Sequence, residues 1–293
     1  MKRKVKDFDT IISEYATFQQ LKGLSPRTIG MEQEHISYYR QFTDKTTEEA
    51  FNDFVQHLIK LDWSIATKNK TLGHLRVFFY WMMERGYCEQ FKIRLLKGQD
   101  PTMKFFTDEE VELLLRKPIN TFGSQRMYTV CCFICRTGAR LSTLLNLKLE
   151  DLDFKEKTVT FRHLKNKKAA ILPMTDSLRL VLTNWVTTWD LNEYVFSDIY
   201  GNQMTTNCFE RAFRRYCIDQ GVKPRGPHRL RHRFRRMYIK KGGDALTLQR
   251  LLTHSSLEMT KRYVELFTDD LRKPLETFSP LDNIKKSRIS RVY

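Results

Sequence analysis

Lys157-Thr-Val-Thr-Phe-Arg-His-Leu-Lys165-Asn-Lys-Lys-Ala-Ala-Ile-Leu-Pro173 is the stretch on which the fold class turns. Lys157–His163 and Ala169–Pro173 are short β-type runs, and Leu164–Lys168 between them is a polar turn. Two such runs around a short turn read as a β-hairpin, with Lys165 at the end of its first strand. Nearly everything around it carries helical spacing. The expected fold is therefore mainly α with a small β-hairpin or sheet, an α+β arrangement in its second half.

Upstream, four helices are expected. Phe8–Leu21 has apolar residues at helical spacing and ends near Gly23. Ser25-Pro26 is a helix start, with the serine as cap and the proline in the first turn, where its missing N–H costs nothing. That helix runs toward Phe42. Thr46–Leu61 follows with Glu48 and Glu49 in its first turn, where the helix dipole favours negative charge. Ala66–Arg85 is the fourth, closed by Gly86. Residues 94–104 mix glycine, proline and charge without period and read as a linker. The expected division is a helical unit over 1–98 and a second unit over 99–293. In the second unit, Thr107-Asp-Glu-Glu opens a helix, another surrounds Met127–Cys135, and the remainder after Pro173 reads as helical, broken at Pro227 and at Gly242-Gly243.

Composition narrows the function. The chain has 293 residues, is 41% hydrophobic and includes 20 Phe and 12 Tyr, enough apolar material for a packed core. No apolar run reaches the roughly 18–20 residues that span a bilayer, and no apolar segment follows the basic N-terminus, so no membrane partner and a cytoplasmic location are expected. The six cysteines show no paired framework and read as small core residues. The formal net charge is +17, which points to a polyanionic partner. Residues 1–98 hold 16 Lys and Arg against 12 Asp and Glu, whereas residues 99–293 hold 35 against 22. Lys223–Lys241 has nine Lys and Arg and no acid, interleaved with Leu230, Phe234, Met237, Tyr238 and Ile239. That pattern is an amphipathic basic helix suited to lying on phosphates.

Four local motifs follow in order: Thr137-Gly-Ala-Arg140, the hairpin Lys165, His228-Arg-Leu-Arg231, and Leu251-Leu-Thr-His254-Ser-Ser with Tyr263 nine residues after the histidine. Each alone is weak, since an Arg after a glycine turn is usually a surface cation and a helical Tyr is usually core. Their order and spacing together resemble the tyrosine recombinases, the phage integrase family, in the two-domain form of its Xer-like members. The resemblance extends to residues 8–95, where Leu24-Ser-Pro-Arg-Thr28 and the Ala66–Trp81 segment are similar to the family's SAM-like core-binding domain.

The resemblance implies a site-specific DNA recombinase (integrase) with catalytic residues Arg140, Lys165, His228, Arg231, His254 and Tyr263. Tyr263 would be the nucleophile and the product a 3′-phosphotyrosine intermediate. The residue types suit that chemistry. A phenol with pKa near 10 needs help to lose its proton. Two guanidiniums, Arg140 and Arg231, are fitted to clamp the charged non-bridging oxygens. An ammonium on a hairpin, Lys165, suits a general acid for the departing 5′-oxygen. His228 would be base or proton relay, and His254 a hydrogen-bond donor to the phosphate. No metal and no cofactor are expected: the sequence has no Gly-x-x-x-x-Gly-Lys-[Ser/Thr] loop and no evident carboxylate cluster. The expected partner is double-stranded DNA with an inverted-repeat core site. It would be bound by a homo-tetramer, or by a tetramer shared with a paralogous recombinase.

Two departures stand out. Thr143 occupies a position where the family usually has an acid, and Thr253 replaces the usual glycine of Leu-Leu-Gly-His-Ser. Both bear on activity, and the alternatives are a catalytically silent DNA-binding regulator of the same fold or a type IB topoisomerase-like enzyme. The sequence does not disclose the target DNA.

Overall fold

The computed structural model describes residues 7–98, 105–162 and 169–252. The chain divides into two compact units, Met1–Met103 and Lys104–Tyr293.

The first unit is four helices: α1 (Phe8–Leu21), α2 (Pro26–Phe42), α3 (Glu48–Lys60) and α4 (Ile65–Arg85). Each begins on an oxygen that satisfies first-turn N–H groups the helix leaves open: Asp7, Ser25, Thr47 and Ser64. Gly86 ends α4 at φ 73°, a left-handed conformation that glycine adopts without a Cβ penalty. The core is aromatic. Tyr39, Phe54, Phe78 and Phe79 are fully buried, and Tyr39 meets Phe54 and Phe79 edge-on at 4.9 and 5.2 Å between centroids. The buried Glu32 carboxylate accepts from the Tyr15 hydroxyl at 2.7 Å, and this contact ties α1 to α2.

The second unit is built around α6 (Phe122–Thr137), which buries Val130, Cys131, Phe133 and Ile134. Before it runs α5 (Asp108–Leu114), closed by a reciprocal capping box between Thr107 and Glu110. After it come α7 (Leu141–Leu145), a short 3₁₀ turn at Leu149–Asp151, and the strands β1 (Leu152–Asp153), β2 (Thr158–Phe161) and β3 (Ala170–Pro173). The strands form one antiparallel sheet in the order β1-β2-β3, with Val159 opposite Leu172 and Phe161 opposite Ala170. Val159 and Phe161 are buried, so one face of β2 lies on the core. Four more helices follow among the described residues: α8 (Asp176–Thr188), α9 (Thr206–Asp219), α10 (His228–Lys240) and α11 (Ala245–Leu251).

The two expected strands pair as an antiparallel sheet, the first ending at Phe161, earlier than the expected His163, and a third strand, β1, joins them, too short for the sequence to reveal. The expectation that all after Pro173 is helical needs correction. Residues 189–205 contain no helix. The Lys148–Tyr194 and Ser197–Gln203 bridges organise them, and the Asp198 carboxylate accepts from the backbone N–H groups of Tyr200 and Asn202. Asp-Ile-Tyr-Gly-Asn is thus a turn, with Gly201 at φ 81°. The buried Trp185 donates from Nε1 to the Val195 carbonyl and holds this loop on α8. Among the described residues no helix is long and apolar enough to cross a membrane.

Candidate active site

The Thr137-Gly-Ala-Arg140 motif is the junction between α6 and α7. Gly138 caps α6 at φ 64° and its N–H donates to the Ile134 carbonyl. The Thr137 hydroxyl donates to the Phe133 carbonyl and accepts from the Ala139 N–H, so the turn is hydrogen-bonded on both sides. A Cβ on Gly138 would overlap the Phe234 ring and lie 2.7 Å from Leu252 Cδ2. Glycine is needed here twice over: for the backbone conformation and for the approach of α10 and the end of α11 to the turn. Arg140 follows as the residue capping α7, half-buried.

The His-x-x-Arg motif opens α10. Arg231 is only 3% exposed. Its guanidinium donates to the Gly138 carbonyl through Nη1 and to the Leu252 carbonyl through Nη2 at 3.2 Å. Arg140 Nη1 donates to the same Leu252 oxygen at 3.3 Å. The two arginines, drawn from different ends of the unit, thus converge on one acceptor. Burial, and then the charge of Arg235, lowers the Arg140 pKa. An arginine remains charged regardless, so the shift reports a half-buried cation with a second cation, Arg235, nearby.

His228, at the first position of α10, is exposed. Lost solvation is the first cause that lowers its pKa, and Arg231 and Arg235 add to it, with Glu210 opposing. The ring is therefore neutral near pH 7 and able to accept a proton. His232, one turn on, is pushed to about 4 by lost solvation and then by Arg235 and Arg229. Arg235 and His232 went unassigned in the sequence, yet their helical spacing from Arg231 and His228 was a visible signal. The Leu252 carbonyl had none, because any residue carries one. Thr143 is buried in α7, so an acid in its place would have to be desolvated.

Lys165, His254, Tyr263 and Thr253 lie outside the described residues. Strands β2 and β3 flank the segment that contains Lys165, and Leu252 stands two residues before His254 in the sequence. Arg140, His228 and Arg231 are the expected site residues that the described structure brings together. Among the described residues no cluster of three or more His, Cys, Asp or Glu is arranged to hold a metal ion.

Known proteins are similar to this chain in sequence and in fold. The chain is 28% identical to the tyrosine recombinase XerA of Pyrococcus furiosus over 285 residues, which covers 94% of this chain and 96% of that protein. Its fold is similar to that of the integrase of transposon Tn1549 in complex with a circular intermediate DNA. The TM-score is 0.74 at 18% identity, over 86% of this chain and 94% of that one. A lambda integrase tetramer bound to a Holliday junction gives a TM-score of 0.72 at 16% identity, over 88% and 77%. The model of the phage integrase family matches residues 104–269, a span that includes the glycine turn, the hairpin and α10. This chain belongs to the phage integrase family.

Proposed function

We propose that this protein is a site-specific DNA recombinase that cleaves and rejoins strands through a 3′-phosphotyrosine intermediate on Tyr263. The observation that carries the reading is the convergence of Arg140 and Arg231 on one oxygen beside the first turn of α10. A neutral carbonyl is a weaker acceptor than a phosphate oxygen, so a scissile phosphate has the advantage in competing for both guanidiniums.

In this mechanism the Tyr263 oxygen attacks phosphorus and its proton passes to His228, whose pKa is lowered first by lost solvation and then by Arg231 and Arg235. Arg140 and Arg231 take up the charge that grows on the non-bridging oxygens. The P–O5′ bond breaks and Lys165 protonates the departing 5′-oxygen. His254 donates a hydrogen bond to the phosphate. A 5′-hydroxyl from a partner strand then attacks the phosphotyrosine and returns the proton along the same path. The link conserves the energy of the broken phosphodiester, so rejoining requires no nucleotide.

The helical segment 1–98 serves as the core-binding domain, and residues 99–293 carry the chemistry. Four protomers act in the cytoplasm on double-stranded DNA with an inverted-repeat core site, each gripping its half-site mainly through phosphates. Incubation with a nicked duplex that loses the short cleaved strand tests the reading. A covalent protein–DNA band that vanishes in Tyr263→Phe supports it. Tight binding without a band in the parent protein identifies a DNA-binding regulator, and relaxation of plasmid without recombinant joints identifies a topoisomerase.

A further inference from the structure

The segment Phe105–Glu110, which enters the second unit, lies against α10 and its approach. The Phe105 ring meets the His232 ring at 6.5 Å in an edge-on arrangement, and the Arg236 guanidinium sits over Phe105 at 5.4 Å. The Arg225 guanidinium sits over Phe106 at 5.1 Å and pairs with the Glu110 carboxylate at 2.6 Å. Asp108 pairs with Arg233, whose side chain is 18% exposed. Glu110 is also the residue that closes the capping box on Thr107, which fixes its rotamer. At about 100° per residue, His232, Arg233 and Arg236 share a face of α10 roughly a quarter turn from the face carrying His228, Arg231 and Arg235.

We propose that Phe105–Glu110 is a strap that sets the position of α10, with Asp108 and Glu110 as positioning residues acting through Arg233 and Arg225. This rests on the recombinase reading for its consequence and on the contacts themselves for its existence. One carboxylate–guanidinium pair, Asp108–Arg233, and the two contacts of Phe105 hold one face of α10, the Arg225–Glu110 pair holds the approach to the helix, and Arg231 lies on the neighbouring face. A shift of α10 by a fraction of an ångström to 1 Å moves a phosphate clamp by the same amount, and displacements of that size cost up to about 100-fold in rate.

The test compares Asp108→Arg, Arg233→Glu and the double exchange. Hydrogen exchange of the amides at 229–240 is read on the protein alone, and single-turnover adduct formation is read on the nicked duplex across DNA concentrations. Each single reversal is expected to speed exchange in α10 at least about tenfold with α6 unchanged, and to lower the maximal adduct rate about 10- to 100-fold. The double exchange should bring both readouts back to within about threefold of the parent, as a restored pair would. The proposal is overturned if Asp108→Arg leaves α10 exchange at the parent value, if the double exchange stays as slow as Arg233→Glu, or if the loss lies only in the DNA concentration needed. The last result would make Arg233 a phosphate ligand. Should the parent form no adduct, the recombinase reading falls, and the exchange measurement still decides whether the strap holds α10.

Discussion

Arg140 and Arg231 donate to the same oxygen, the Leu252 carbonyl, at 3.3 and 3.2 Å. Two cations do not approach one neutral acceptor without a structure that forces them together. Here that structure is the glycine turn after α6, with α10 packed on it.

Arg140→Lys and Arg231→Lys keep the charge and lose the planar fork. Each is expected to slow single-turnover adduct formation about 100- to 1000-fold, the usual cost of removing one donor to a developing oxyanion. DNA affinity, carried by many phosphates, should change far less. Equal losses in affinity and rate would contradict the clamp.

Gly138→Ala places a Cβ at a positive φ and against Phe234 and Leu252. Backbone strain and overpacking together should cost about 2–4 kcal/mol in urea unfolding, with loss of cleavage. A variant as stable as the parent would mean that α10 does not pack on this turn.

The pH dependence follows from the two histidines of α10. In the proposed mechanism His228 acts in its neutral form, and its pKa is lowered, so the adduct rate should rise with pH and be flat above about 6.5, the ordinary histidine value. An inflection above pH 7 would remove His228 as the base. His232 bears on stability. Its folded value is about 4, against about 6.5 in an unfolded chain. Between those values the unfolded state binds more protons, so this contribution is present above pH 6.5 and is lost as pH falls toward 4. His232→Gln should flatten that part of the stability curve.

Much of this was legible in the sequence because local chemistry dictates it. Ser25-Pro26, Thr107 with its capping acids, and Gly86 set helix ends through short-range hydrogen bonds and backbone freedom. The hairpin showed in two short β-type runs on either side of the polar turn Leu164–Lys168. Strand β1 and the 189–205 loop were not legible, since a two-residue strand has no period and the loop is held at Val195, whose N–H donates to the distant Leu147 carbonyl and whose carbonyl accepts from Trp185. In the site, the residue types and their order named Arg140, His228 and Arg231. The role of Leu252 depends on a backbone carbonyl placed by the fold, and no side chain announces that.

The most direct test of the central claim is mass spectrometry of the trapped protein–DNA adduct after nuclease trimming and trypsin digestion. A nucleotide 3′-phosphate mass on Tyr263, in the peptide Tyr263–Arg272, is the result this account predicts. The same mass on any other residue, or a trapped complex with no covalent nucleotide, would contradict it.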